Sequence, residues 1–121
     1  MSVLVLDTSA IVSFGGGSID VGEPMAEVRD GGGVVLVPVV CLVEAARSVD
    51  VRMLEVLVDN PVCELAPLTG ERWPMAATTL RMLGRLDLAV ALIAASEGGG
   101  FVLTREPQAY GNLGEDVVIG I

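Results

Sequence analysis

The chain has 121 residues, of which 52% are hydrophobic, so it can bury one core and is not an intrinsically disordered protein. Its formal net charge is −9, with 16 acidic residues against 7 basic ones, which argues against general binding of nucleic acid through clustered cations but does not exclude a nucleic-acid enzyme. The absence of histidine excludes Ser-His-Asp and Cys-His catalysis and any histidine-ligated zinc site.

The apolar stretches are too short for targeting or membrane segments. The N-terminal run stops at Asp7, too early for the apolar region of a signal peptide. The longest run, over residues 34–43, is well short of the about 20 residues that span a bilayer. We therefore expect a single domain over residues 1–121, a cytoplasmic location and no membrane association. Cys41 and Cys63 lie in apolar stretches and are expected to be buried, reduced thiols.

Short apolar runs alternate with longer helical segments along the chain. In order, the pattern predicts a strand at 3–6, a helix at 24–30, a strand at 34–39, a helix at 42–58, a strand at 62–65, helices at 71–83 and 87–97, and strands at 101–104 and 117–119. Because the strand runs are continuously apolar, we expect strands covered on both faces. This alternation predicts an α/β fold with a mostly parallel sheet and helices on both sides.

Four acids lie at or near the predicted strand ends. Asp7 follows the first strand, Glu44 comes just after the second, Asp87 begins the helix before the fourth, and Glu106 comes two residues after Thr104. Ligands of open α/β sheets bind at the carboxyl ends of the strands. The four acids are therefore expected to converge on one rim of the sheet.

Such a cluster favours a particular chemistry. Two carboxylates about 4 Å apart repel by roughly 4 kcal/mol at an effective dielectric constant of 20, so the cluster must hold protons or bind a cation. Oxygen ligands alone suit Mg²⁺ or Mn²⁺. These ions coordinate phosphate oxygens and lower the pKa of bound water, which favours in-line hydrolysis of a phosphodiester.

Four segments surround these acids: LDTSAIV (6–12), VPVVCLVEA (37–45), DLAVALIAA (87–95) and VLTRE (102–106), with Tyr110 and Leu113 following the last. In this order, over nearly the whole chain, they resemble the motifs of PIN-domain nucleases. The size and layout are most similar to the VapC-type toxins of type II toxin–antitoxin pairs.

The resemblance implies a PIN-like three-layer α/β/α fold with a five-stranded parallel sheet. It also implies an Mg²⁺- or Mn²⁺-dependent endoribonuclease, a hydrolase of RNA phosphodiesters that forms a homodimer and binds an antitoxin. By position, Asp7, Glu44 and Asp87 correspond to metal-binding catalytic acids. Glu106 corresponds to a fourth acid that is usually aspartate in the family. Supporting hydroxyl groups at Ser9 and Thr104 would hold the acids in place.

Structural interpretations of the same acids stay open. Asp7 and Asp87 could cap helices or turns, since aspartate accepts backbone N–H bonds there, and Glu44 and Glu106 could be solvated acids. Arg47 and Arg105, beside Glu44 and Glu106, are possible RNA contacts or partners of nearby acids. Two aromatic residues, Trp73 and Tyr110, are expected to pack in the core rather than stack on bases.

Two other functions remain open. The glutamate at position 106 and the acidic composition are compatible with a catalytically weakened PIN-fold module that binds a protein partner. A phosphatase on a related α/β fold is less favoured, because Asp7-Thr8-Ser9 lacks the D-x-D spacing of an aspartate-nucleophile phosphatase.

Overall fold

The computed structural model describes residues 2–121, which form an alternating series of strands and helices. The strands are β1 (Val3–Leu6), β2 (Val34–Pro38), β3 (Cys63–Ala66), β4 (Phe101–Thr104) and β5 (Val118–Gly120). The helices are α1 (Thr8–Gly15), α2 (Ile19–Asp30), α3 (Val39–Ala45), α4 (Val51–Val58), α5 (Trp73–Leu83) and α6 (Leu86–Gly98). A 3₁₀ segment, Pro107–Gly114, joins β4 to β5.

All five strands belong to one parallel sheet, in the order β3-β2-β1-β4-β5. The chain lays down β1, β2 and β3 in one direction and then crosses back to place β4 and β5 on the other side of β1. The predicted α/β fold with a parallel sheet is therefore confirmed. The strand order reverses between β1 and β4, and this is the point where ligands of open α/β sheets bind.

The helices cover both faces of the sheet. Because parallel crossovers are right-handed, connections that run in opposite directions along the sheet lie on opposite faces. The β1-to-β2 connection places α2 against β1 and β2, while the β3-to-β4 connection places α6 against β1, β2 and β4. This arrangement is consistent with the expected three-layer α/β/α architecture.

Burial on both faces holds for the centre of the sheet and fails at its edges. Val5, Leu6 and Val102 are fully buried in β1 and β4. In the edge strand β3, by contrast, Glu64 and Leu65 are exposed, and Leu65 keeps 50% of its surface. The expectation of strands covered on both faces was therefore wrong for the edges, since an edge strand lacks a neighbour and its share of the helical layer.

The predicted helix at 42–58 was also wrong, because the chain forms α3 and α4 instead. The side chain of Asp50 accepts a hydrogen bond from the backbone N–H of Arg52 and caps a new helix. An aspartate that caps the following residues competes with continuing the helix. Helix α1 was not predicted at all, and α2 begins at Ile19 rather than Pro24 because Ser18 caps it.

The two helices before β4 match the sequence pattern closely. Helix α5 carries Pro74 in its first turn, where proline is tolerated, and it is followed by Gly84, whose φ of 79° is the left-handed conformation that favours glycine. Both cysteines are free, as expected, although Cys63 is only half-buried. Over residues 2–121, the helices are too short or too polar to cross a membrane.

Candidate functional site

The predicted rim lies where the strand order reverses. Asp7 directly follows β1, and its backbone N–H reaches the carbonyl oxygen of Leu103 in β4 at 3.4 Å. Glu106 follows β4 on the same side. The register of the two parallel strands therefore places the acids after β1 and β4 at one edge of the sheet.

Asp7 is fully buried, and its carboxylate accepts three hydrogen bonds. Oδ1 accepts from Ser9 Oγ at 2.7 Å and from the Ala10 backbone N–H at 3.1 Å, so Asp7 caps α1. Oδ2 accepts from the Tyr110 hydroxyl at 2.8 Å. The capping interpretation is thus correct, and one carboxylate oxygen still faces the 3₁₀ segment.

Tyr110 is a packing residue, as expected, and it also donates to the site. Burial, followed by the charge of Asp7 and the hydrogen bond to it, raises the pKa of the Tyr110 hydroxyl. The phenol therefore stays protonated and acts as a donor. Trp73, in contrast, is 66% exposed, so the expectation that it packs in the core was wrong.

Asp87 lies in the first turn of α6, and its side chain is 8% exposed. Oδ2 accepts from Thr8 Oγ1 at 2.7 Å and from Arg85 Nη2 at 2.9 Å, and Oδ1 accepts from Arg85 Nε at 3.2 Å. It is not the helix cap, because the cap position is Arg85. Burial opposes its ionisation, but the hydrogen bonds from Arg85 and Thr8 outweigh burial and lower the pKa of the carboxyl.

Thr8 brings the two aspartates together. It follows Asp7 in the chain and donates its hydroxyl proton to Asp87, 79 residues away. On the other side, the Cys41 thiol of α3 contacts the backbone oxygen of Asp87 at 3.2 Å. Burial raises the pKa of this thiol to about 12, so Cys41 remains neutral beside the two acids.

Glu106 joins the group through a guanidinium. Arg85 Nη1 donates to Glu106 Oε2 at 3.0 Å while the same side chain holds Asp87. The Glu106 backbone N–H donates to Thr104 Oγ1, which lies 3.2 Å from Ser9 Oγ. The two supporting hydroxyls thus connect the loop after β4 to the start of α1.

Glu44 is not brought into direct contact with the other acids. Its carboxylate accepts from Arg47 Nη1 at 2.7 Å, and both side chains are substantially exposed. It lies three residues after Cys41 on α3, and residues at this spacing share a helix face. Within residues 2–121, no group of three or more acids, cysteines or histidines is arranged to hold a metal ion.

The two candidate RNA contacts, Arg47 and Arg105, already bind acidic or hydroxyl side chains of the chain itself. Arg105 donates from Nε to Ser13 Oγ at 2.9 Å and from Nη2 to Ser18 Oγ and Asp20. These bonds tie the loop after β4 to α1 and α2. The ion-pair interpretation therefore describes both Arg47 and Arg105 in this structure, and a phosphate would have to replace their present partners.

Carboxylate oxygens are the ligands that hard divalent cations prefer, but two carboxylates of the rim, Asp87 and Glu106, are already paired with Arg85. A carboxylate offers about four lone-pair positions. Asp7 uses three of them in hydrogen bonds, and so does Asp87. Arg85 occupies two of the positions on Asp87, and these would open if the guanidinium moved.

Sequence reasoning missed the side chains that organise these acids. Thr8 and Tyr110 were not recognised as direct partners of the aspartates, and Arg85 was not recognised as the link between Asp87 and Glu106. A local signal existed for two of them, since Thr8 and Arg85 lie one and two residues from an acid. No local signal exists for Tyr110, which is 103 residues from Asp7.

A separate cleft of about 270 Å³ lies on the edge-strand side of the sheet. It is lined mainly by apolar residues such as Leu36, Val90 and Ile93, and the Arg72–Glu97 ion pair borders it. None of the four candidate acids lines this cleft. The chemistry of the rim and the apolar cleft are therefore distinct features.

Comparison of the chain with models of known protein families and with curated proteins finds no match.

Proposed function

We propose that this protein is a metal-dependent endoribonuclease with a PIN-like site at the reversal point of its sheet. The observation that supports the proposal is the hydrogen bond from Thr8 to Asp87, which joins the residue after Asp7 to a second buried aspartate. Two buried carboxylates at the ligand-binding edge of a parallel sheet support this proposal, because a bound cation would offset their charge. The motif resemblance supports the same chemistry.

The surrounding residues hold the acids in defined orientations. Ser9, the Ala10 backbone and Tyr110 fix both oxygens of Asp7 from two sides. Thr8 fixes one oxygen of Asp87. Such fixed partners preorganise ligands and reduce the motion needed when a cation and a phosphate bind.

Asp7 and Asp87 would hold the cation, with Glu44 and Glu106 at its periphery. Bound Mg²⁺ or Mn²⁺ would supply a water of lowered pKa and positive charge beside the phosphate. The protein's part is to orient the carboxylates and to keep Tyr110 and Cys41 protonated, so that they add no further negative charge. Arg47 and Arg105 lie at positions where the RNA backbone could replace their acidic partners.

The proposal extends to a toxin that forms a homodimer, binds an antitoxin and acts in the cytoplasm. Its support is the motif resemblance together with apolar surface on α3 and α4. Val43, Val51 and Val56 are 65%, 56% and 56% exposed. Apolar side chains that are exposed on the surface can serve as contacts for a protein partner.

The direct test is RNA cleavage by the purified protein with Mn²⁺ and with the ion removed by a chelator. We expect activity that requires the ion and that Asp7→Asn reduces by about 100-fold or more, because asparagine keeps a capping oxygen and lacks the charge. Asp59→Asn, at an exposed position just after the end of α4, is the matched control and should retain full activity. Equal cleavage by wild type and Asp7→Asn would refute the assignment.

One observation favours the alternative of a non-catalytic interaction module. Arg85 pairs with both Asp87 and Glu106, so the acids are already partly neutralised by the chain itself. Calorimetric titration with Mn²⁺ separates the two functions. A nuclease should bind the ion and lose that binding in Asp7→Asn, whereas an interaction module should show no binding that depends on the carboxylates.

A further inference from the structure

Arg85 makes the most extensive polar contact in the candidate site. Its Nε and Nη2 atoms grip both oxygens of Asp87, and its Nη1 atom donates to Glu106. A planar guanidinium can bridge two carboxylates in this way, whereas a lysine ammonium cannot reproduce the fork. One positive side chain therefore stands between two of the acids proposed to surround a metal ion.

The backbone presents Arg85 to the site from a short junction. Gly84 ends α5 in a left-handed conformation, and Arg85 is extended before α6 begins. From this position the side chain folds back over the first turn of α6. Its side chain is 42% exposed, while that of Asp87 is 8% exposed, so the guanidinium covers a buried carboxylate from the solvent side.

We infer that Arg85 is a built-in counter-cation that competes with a divalent ion for Asp87 and Glu106. The inference rests on the proposed function, because it assigns a regulator to the same site. A divalent cation and a guanidinium that share the same carboxylates repel each other, so both cannot occupy these acids at full strength. Ion binding then requires the Arg85 side chain to turn outward.

The structure allows that movement without unfolding. Among residues 2–121, the guanidinium is held by the two acids alone, and 42% of the Arg85 side chain is exposed to solvent. Thr8 keeps its bond to Asp87 when Arg85 leaves, so the carboxylate retains one fixed partner. Once turned outward, Arg85 stays beside the rim, where the phosphates of a bound RNA would accept its hydrogen bonds.

The test is calorimetric titration of wild type and Arg85→Gln with Mn²⁺ alone. We expect Arg85→Gln to bind Mn²⁺ about tenfold more tightly, because it removes a positive charge from the ligands. Without Mn²⁺, Arg85→Gln should have a lower melting temperature than wild type. Addition of Mn²⁺ should raise the melting temperature of the variant and remove this difference. Arg85→Lys should fall between the two in Mn²⁺ affinity.

Matched variants identify the source of any change. Arg72→Gln removes an arginine of similar exposure that pairs with Glu97 away from the acids, and its Mn²⁺ affinity should equal that of wild type. Adding Asp87→Asn to Arg85→Gln should abolish the gain. If Arg85→Gln binds Mn²⁺ no more tightly than a wild type that does bind it, the competition is refuted and the metal site stands. If neither protein binds Mn²⁺, both are refuted.

Discussion

Tyr110 donates its hydroxyl proton to Asp7 at 2.8 Å, and this bond links two residues that lie 103 positions apart. It ties the 3₁₀ segment after β4 to the end of β1. Both residues are fully buried, so the bond is shielded from solvent. The acid with the least solvent contact is thereby oriented by the C-terminal part of the chain.

Tyr110→Phe should destabilise the protein by about 1–3 kcal/mol, because a buried carboxylate loses a donor while the ring still packs. Denaturant unfolding monitored by circular dichroism measures the change. Trp73→Phe is the control, since its exposed ring should change stability by less than about 0.5 kcal/mol. A loss for Tyr110→Phe no larger than that of the control would show that the bond contributes little.

The Cys41 thiol should make the protein less stable in alkali. Its pKa is about 12 in the folded protein against 9.0 for an unperturbed thiol. Between these values the unfolded chain releases a proton that the folded chain keeps, so the free energy of unfolding falls as pH rises. Cys41→Ala should therefore show a flatter decline from pH 8 to 10.5, whatever its stability at neutral pH.

Urea unfolding at a series of pH values measures these slopes. Tyr110, whose pKa is also raised, contributes with the same sign in both proteins, so the difference between them reports Cys41. Parallel slopes for wild type and Cys41→Ala would contradict the prediction.

Asp50 should stabilise α4 only while it is ionised. Its side chain accepts a hydrogen bond from the Arg52 backbone N–H and a second one from the Arg52 side chain. These two bonds, the backbone one first, lower the pKa of the Asp50 carboxyl. A lowered pKa in the folded state means that this contribution is present at neutral pH and is lost as pH falls through the folded pKa. Asp50→Ala should thus lower the melting temperature at pH 7, by an amount that shrinks below about pH 4.

Asp59→Ala is the control for this cap, because Asp59 lies at the other end of α4. A negative charge there opposes the helix dipole, so its removal should cause no loss of melting temperature. A constant effect of Asp50→Ala from pH 7 to pH 3 would show that the charged cap is unimportant.

Gly100→Ala should destabilise the sheet between β1 and β4 by about 1–3 kcal/mol, as overpacking typically does. A Cβ atom at this position would collide with the backbone carbonyl of Val3, which cannot rotate away. Gly70→Ala is the matched control, since a Cβ there meets no atom within 4 Å. Thermal unfolding of both variants checks the prediction, and equal melting temperatures would refute it.

The sequence by itself determined the elements with strong local signals. Apolar runs specified β1, β2 and β4, and the helical pattern of residues 71–83 specified α5, because strand burial and helix periodicity depend on nearby residues. The helix predicted at 42–58 failed where a local competitor, the cap at Asp50, interrupted a continuous apolar pattern. The positions of the acids after the strands also predicted the edge of the sheet at which Asp7, Asp87 and Glu106 lie.

Only the tertiary structure decided how those acids are paired. Thr8 reaches Asp87, Tyr110 reaches Asp7, and Arg85 bridges to Glu106 across 79, 103 and 21 residues respectively. Periodicity and propensity describe neighbours along the chain, whereas these bonds depend on the order in which the strands are placed in the sheet. The charge that balances the cluster is set in the same way, because chain crossings decide which arginine meets which carboxylate.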